Sequence, residues 1–284
     1  MDNVYGHEHA KRALRVMVKR SQERYYNREV MGRATNTAPL KILLVGPSGT
    51  GKTHLMSSLK RQHNLPCLML DATQFAPTGS SGGISAIKLR EMIRATANEH
   101  MKQPGYHSIP GVLSQMVIFV DEFDKLGTRH DSSGNWNTHV QSNFLTLIDD
   151  KEEFAGVSWV FAGAFSHLHV KETKNHIGFG KAGAEEAVKA ITDADILRSG
   201  IIPELLGRIS LVCQLDIFTE QDYMTVLTEK LLPLYSNLSE LSPDKLNEIA
   251  KTAMGSGLGI RSLTRQLEHL SIEQEDTECI IYRN

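Results

Sequence analysis

Gly46-Pro47-Ser48-Gly49-Thr50-Gly51-Lys52-Thr53 matches the pattern G-x-x-x-x-G-K-[ST] without a gap. Glycines at these spacings let backbone N–H groups close around phosphate oxygens, and a helix starting at the lysine adds its positive end. Gly46, Pro47, Ser48, Gly49, Thr50 and Gly51 therefore form a candidate phosphate cradle. Lys52 would reach the β- and γ-phosphates, and Thr53 would offer its hydroxyl to Mg²⁺. A second element is Val117-Ile118-Phe119-Val120-Asp121-Glu122, an apolar run that ends in paired carboxylates. Asp121 would complete the Mg²⁺ shell, and Glu122 would polarise an attacking water. A Gly-rich turn or a strand-end carboxylate is ordinary by itself. Together the two elements imply Mg-dependent nucleoside triphosphate binding with hydrolysis.

Such a site needs rigid elements to carry it. Lys41–Val45 reads as a buried strand that feeds the glycine loop, and Lys52–Gln62 as the helix that follows. Leu68–Leu70, Met116–Val120 and Ser158–Ala162 read as further buried strands. Helical spacing marks His7–Arg28, Ile84–His100 and His139–Asp149, with a Gly/Ser-rich loop at 77–83 and a polar loop before His139. Strands alternating with helices give an α/β fold with a parallel sheet covered on both faces. After Leu215 the pattern becomes helical. Thr219-Glu220-Gln221-Asp222 and Ser242-Pro243-Asp244 are helix starts, and Gly255–Gly259 interrupts before Ile260–Leu270. The chain divides accordingly into a large α/β nucleotide-binding domain, 1–215, and a small helical lid, 216–284.

The composition suits this reading. Across 284 residues, 40% are hydrophobic and 23% charged, which excludes a disordered, collagen-like or disulfide-stapled chain. No apolar run is long enough to span a membrane, and the first residues lack an apolar signal core, so the expected location is cytoplasmic. Cys67, Cys213 and Cys279 fit neither a disulfide framework nor a CxxC metal site. Residues 1–64 hold 12 Lys/Arg against 4 Asp/Glu, and residues 217–284 hold 6 against 11. A basic front and an acidic back suit nucleic acid, phosphate groups or a neighbouring copy of the chain, although on charge alone solvated helix faces are the favoured reading.

These motifs, in this order, resemble the AAA+ ATPases of the ClpX/HslU branch, and most of all the ClpX type. Val4-Tyr5-Gly6-His7-Glu8-His9-Ala10-Lys11 is similar to the opening V-I-G-Q-x-x-A-K, which implies that Val4 and Tyr5 line an adenine pocket. Asp71-Ala72-Thr73, Asp121-Glu122-Phe123-Asp124-Lys125-Leu126 and Phe161-Ala162-Gly163-Ala164-Phe165 resemble the D-A-T, Walker B and sensor-1 segments. Ile201-Ile202-Pro203-Glu204-Leu205-Leu206-Gly207-Arg208 is similar to L-I-P-E-F-I-G-R, implying that Arg208 is an arginine finger offered to ATP in the adjacent subunit. Gly259-Ile260-Arg261-Ser262 resembles the sensor-2 G-L-R-S, implying that Arg261 senses the γ-phosphate from the lid. The resemblance implies ATP and Mg²⁺ as cofactors, and a homo-oligomer, as a hexameric ring or a helical assembly, that remodels a protein or other macromolecule. A protein substrate or adaptor is the expected partner. Ile177-Gly178-Phe179-Gly180 reproduces the I-G-F-G of the loop that docks ClpX into a ClpP-like peptidase.

The departures narrow these expectations. The chain opens on the AAA+ module, without the family's four-cysteine zinc domain. Where the first pore loop is G-Y-V-G, the aligned segment is Gly79-Ser80-Ser81-Gly82, and two hydroxyls lack the apolar area of an aromatic grip. Asp149 to Val157 leaves no room for the family's basic insertion, and Phe161–Phe165 offers no polar side chain as sensor 1. Two alternatives stay open. One is a nucleic-acid-associated AAA+ ATPase. The other is an ATP-gated scaffold or regulator that threads nothing.

Overall fold

The computed structural model describes residues 4–33, 36–76, 82–127, 134–168 and 190–281, with backbone alone at 134–135, 167 and 275–281. Five strands form one parallel sheet. They are β1 (Lys41–Val45), β2 (Cys67–Asp71), β3 (Val117–Asp121), β4 (Ser158–Gly163) and β5 (Leu211–Gln214), in spatial order β2-β3-β4-β1-β5. β1 lies between β4 and β5, with Leu44 level with Ala162 and Cys213. β3 lies between β2 and β4, so the chain leaving β1 passes over two strands before it pairs again. The chain ends of β1, β3 and β4 therefore share one edge, where open α/β sheets place their ligands.

Both faces of the sheet are sealed. One apolar layer includes Leu43, Val45, Ile118, Val120 and Phe161, and packs on α3 (Ala86–Met101) and α5 (Gly134–Ile148). The other includes Ile42, Leu44, Val117, Phe119 and Val160, and packs on α1 (Glu8–Tyr25) and α2 (Lys52–His63). Burial of both faces explains why these strands read as unbroken apolar runs rather than alternations. A third apolar cluster holds Tyr223, Leu227, Ile249, Leu263 and Leu267. It is built by α8 (Glu220–Val226), α9 (Pro243–Gly255) and α10 (Ile260–Ile281).

Several elements differ from their sequence reading. The first helix is regular only to Tyr25 and continues as a π-helical turn over Tyr26–Val30. α5 begins at Gly134, inside the segment read as polar loop, and α10 runs on to Ile281 rather than stopping at Leu270. α4 (Ile109–Gln115), α6 (Asp193–Arg198), α7 (Pro203–Leu206) and β5 were not foreseen. α4 contains Pro110 and Gly111, which oppose a helix on propensity. Yet Pro110 falls in the first turn and the Ser108 hydroxyl caps it, accepting from Gly111 N–H at 2.9 Å. Gly111 packs against the Glu29 side chain, which a Cβ at 2.7 Å from Cδ would push aside. β5 is a four-residue edge strand, too short for its pattern to register. No helix among the described residues is long and apolar enough to cross a membrane.

Candidate active site

The glycine loop follows β1 and ends on α2, whose N-cap, Gly51, has φ 94°. Gly49 is also in the left-handed region, at φ 78°. These conformations turn the chain tightly enough for backbone amides to face inward, and side chains other than glycine adopt them only under strain. Within the loop the Lys52 ammonium donates to the carbonyl oxygens of Gly46 at 2.7 Å and Pro47 at 3.0 Å. Burial lowers the Lys52 pKa, while the charges of Asp121, Asp124 and Glu122 act to raise it and that of Arg261 to lower it. Lys52 thus lies within electrostatic reach of both carboxylates of the Walker B element and of an arginine from α10.

Asp121 ends β3. One of its carboxylate oxygens accepts from the Thr53 hydroxyl, and the other accepts from Glu122 N–H at 2.9 Å. Thr53 and Asp121 therefore present adjacent oxygens, the donor set a hard divalent cation takes alongside phosphate oxygens and water. Among the described residues no group of three or more His, Cys, Asp or Glu could hold a metal ion by itself. Glu122 adopts φ 53°, ψ 31°, left-handed for a residue with a side chain. The next residue, Phe123, is buried, with its ring centroid 4.5 Å from that of Phe161. Asp124 braces the site from behind, its carboxylate accepting from Ala164 N–H at 3.0 Å.

A cavity of about 380 Å³ joins these parts. Val4, Tyr5, Ser48, Gly49, Thr50, Gly51, Lys52, Thr53, Asp121, Glu122 and Arg261 all line it. Gly46 and Pro47 stand behind it and hold Lys52. Arg208 does not reach it. Its guanidinium forms a two-pronged pair with Asp149, at 2.9 and 3.1 Å, and interacts electrostatically with Lys41 at the start of β1, the end away from the glycine loop. Ser80 and Ser81 of the pore-loop segment, and Ile177, Gly178 and Phe179, lie outside the described residues.

Other contributors were not legible in the motifs. Phe218, Val226, Lys230, Leu231 and Thr264 line the cavity from the chain after β5. Lys230 and Leu231 sit on a π-helical turn, Leu227–Leu231, which extends α8. Such turns shift side-chain direction within a helix and recur at functional sites. His7 is the least expected. It is buried, has φ 60°, and caps α1. Its Nδ1 accepts from Asp216 N–H at 3.0 Å, which fixes the tautomer, so Nε2–H donates to Thr50 O at 2.8 Å. Phe218 stacks on the ring at 5.0 Å. Burial is the main influence on His7 and pushes its pKa down. His7 thus ties the N-terminal motif, the glycine loop and the start of the third cluster to one another.

Glycine also carries the contact between loop and α10. A Cβ on Gly259 would lie 2.7 Å from Gly49 O, and one on Gly49 would lie 2.1 Å from Leu258 O. Only main chain fits there, and Ile260 N–H donates to Gly49 O at 3.2 Å. Arg261 follows at once, which is how a residue so distant in sequence reaches the phosphate site.

The profile of the ATPase family associated with various cellular activities (AAA) matches residues 42–171, from β1 through β4. Two relatives are the ATP-dependent Clp protease ATP-binding subunits ClpX of Borrelia duttonii and of Treponema denticola. The first is 26% identical over 94% of this chain and 70% of its own length. The second is 25% identical over 95% and 73%. The chain thus carries an AAA ATPase segment and is similar to ClpX over most of its length. Its likeness to ClpX 2 of Wolinella succinogenes, 26% identical, covers 81% of the chain. The match thus runs past the AAA segment into the helices that carry Arg261.

Proposed function

We propose that this ATPase works as an oligomer that hydrolyses Mg-ATP at subunit interfaces and uses the cycle to remodel a protein substrate. Residues 1–215 serve as the nucleotide-binding domain and 216–284 as a lid. Val4 and Tyr5, with Phe218 and Leu231, take the adenine. The loop amides and Lys52 hold the phosphates. Mg²⁺, when bound, neutralises charge between the β- and γ-phosphates, and Thr53 and Asp121 would hold it. Glu122 orients the attacking water and accepts its proton. Arg261 engages the γ-phosphate from the lid.

One observation carries the interface reading. Lys52, Thr53, Asp121, Glu122 and Arg261 converge on one cavity, while Arg208 lies beyond it, exposed and near the opposite end of β1. A guanidinium in that place can stabilise transition-state charge only in another subunit's site. The relatives' names describe them as ATP-binding subunits of a protease, so Ile177, Gly178 and Phe179 are the residues to vary first in a test of peptidase docking. Mixing variants tests the central claim. Glu122→Gln alone and Arg208→Ala alone should each bind ATP and turn over poorly. Mixed, they should recover part of the activity, because some interfaces pair an intact Glu122 with an intact Arg208. No recovery, or full turnover by a dilute monomer, would overturn hydrolysis in trans.

A further inference from the structure

A second cavity, of about 560 Å³, opens where α1 runs out into the loop before β1, and Ser114 of α4 with Ala155 and Gly156 before β4 close it. It lies at the starting ends of the strands, away from the ATP site. Arg24, Arg28 and Arg33 line it, and no carboxylate does among the described residues. Arg24 is the unusual one, being only 3% exposed. Its Nη2 lies 3.1 Å from the carbonyl oxygens of Ser114 and Gly156 and from Ser158 Oγ. Its Nε and Nη1 are buried and find no hydrogen-bond partner. Burial, together with the charge of nearby Arg20, lowers its pKa to about 10.

A buried guanidinium without a counter-charge is destabilising. The charge of Arg24 is therefore uncompensated beside the cavity, and an anion there would offset it without having to reach the sealed Nε and Nη1. Three guanidinium groups match a doubly charged oxyanion better than a single carboxylate, and their planar forks suit phosphate oxygens. Ala38, Pro39 and Ala155 make the remaining wall apolar. The concave shape and the size are those of a small-molecule site rather than of an exposed basic row that tracks a nucleic-acid backbone. We propose that this cavity binds a small phosphate monoester, with its phosphate on Arg28 and Arg33 beside the buried charge of Arg24, and its body against Ala38 and Pro39.

The test is calorimetric titration of the full chain with phenyl phosphate, inorganic phosphate, acetate and a short single-stranded oligonucleotide. Each titration is repeated in Lys52→Met, which disables the ATP loop, and in Arg28→Ala/Arg33→Ala. Arg28 and Arg33 are exposed, so their loss should leave folding and ATP turnover intact. We expect phenyl phosphate to bind roughly ten-fold or more tightly than acetate. That binding should persist in Lys52→Met and weaken at least about ten-fold in the double arginine variant. Inorganic phosphate binding as well as the ester would keep the anion site and remove the apolar wall's part in it. Three results would overturn the proposal. They are no binding that survives Lys52→Met, equal affinity for acetate, and an oligonucleotide that outcompetes the ester through the same arginines. Because Lys52→Met separates the two sites, a failure of the ATP assignment would be seen independently.

Discussion

Glu122 combines a catalytic assignment with a conformation its side chain disfavours, and the two can be separated by substitution. At φ 53° a residue with a Cβ is disfavoured by about 1–2 kcal/mol relative to right-handed backbone. Glycine escapes that strain but loses about 0.5–1 kcal/mol through its greater freedom in the unfolded chain. Comparing Glu122→Gly with Glu122→Ala removes the carboxylate from both and leaves those two effects. The glycine variant should be more stable by about 0.5–1 kcal/mol, a rise in Tm of roughly 1–4 °C for a chain of this size. Both should turn over ATP at a small fraction of the wild-type rate, as should Glu122→Gln, whose amide cannot take a proton. The assays are calorimetric melting without nucleotide and steady-state phosphate release. A glycine variant less stable than the alanine variant would refute the strain argument. A Glu122→Gln enzyme with wild-type turnover would refute the assignment of the base.

Three further outcomes follow from the geometry. His7 has a lowered pKa, so below the unfolded value of about 6.5 the unfolded chain binds a proton that the fold resists. The resulting stability is full above that pH and falls as pH drops toward the folded pKa. His7→Gln should flatten this part of a Tm-versus-pH profile, and an unchanged slope would rule His7 out. Gly259→Ala would force a Cβ to within 2.7 Å of Gly49 O at φ 63°. It should weaken fluorescent ADP binding by roughly ten-fold, given a strain of about 1–2 kcal/mol at the contact. Asp149→Asn frees the exposed Arg208 from its partner. It should leave the melting temperature nearly unchanged and raise ATP turnover at low protein concentration, and lower turnover would instead make Asp149 a positioning residue.

The sequence showed most clearly those parts of the fold where one residue type answers to one physical demand. β1, β3 and β4 are buried on both faces, so their apolar runs stood out. The glycine loop needs left-handed residues beside a lysine, and few patterns other than a phosphate cradle combine these. β5 is short and lies at an edge, and α4 carries a proline and a glycine that only its cap and its contact with Glu29 justify. Lys230, Leu231 and Thr264 reach the site through a π-helical turn and the docking of α10, and no local spacing encodes either. His7 occupies the position of the family's glutamine, but its two ring hydrogen bonds join Thr50 and Asp216, 43 and 209 residues away. The departures at Ser80 and Ser81 and the loop at Ile177–Phe179 lie outside the described residues.

The meeting of Gly49 with α10 has a mechanical consequence. The peptide unit between Gly49 and Thr50 is a rigid plane. Its carbonyl accepts from Ile260 N–H, while its own N–H faces Pro47 O at 3.4 Å. Tilting that plane moves both bonds together, so a ligand that draws the amide toward itself swings the carbonyl against α10 in the same stroke. With no side chains meshed at the junction, nothing there has to change rotamer when the plane turns. Loop and helix are thus joined at this point through six atoms of main chain.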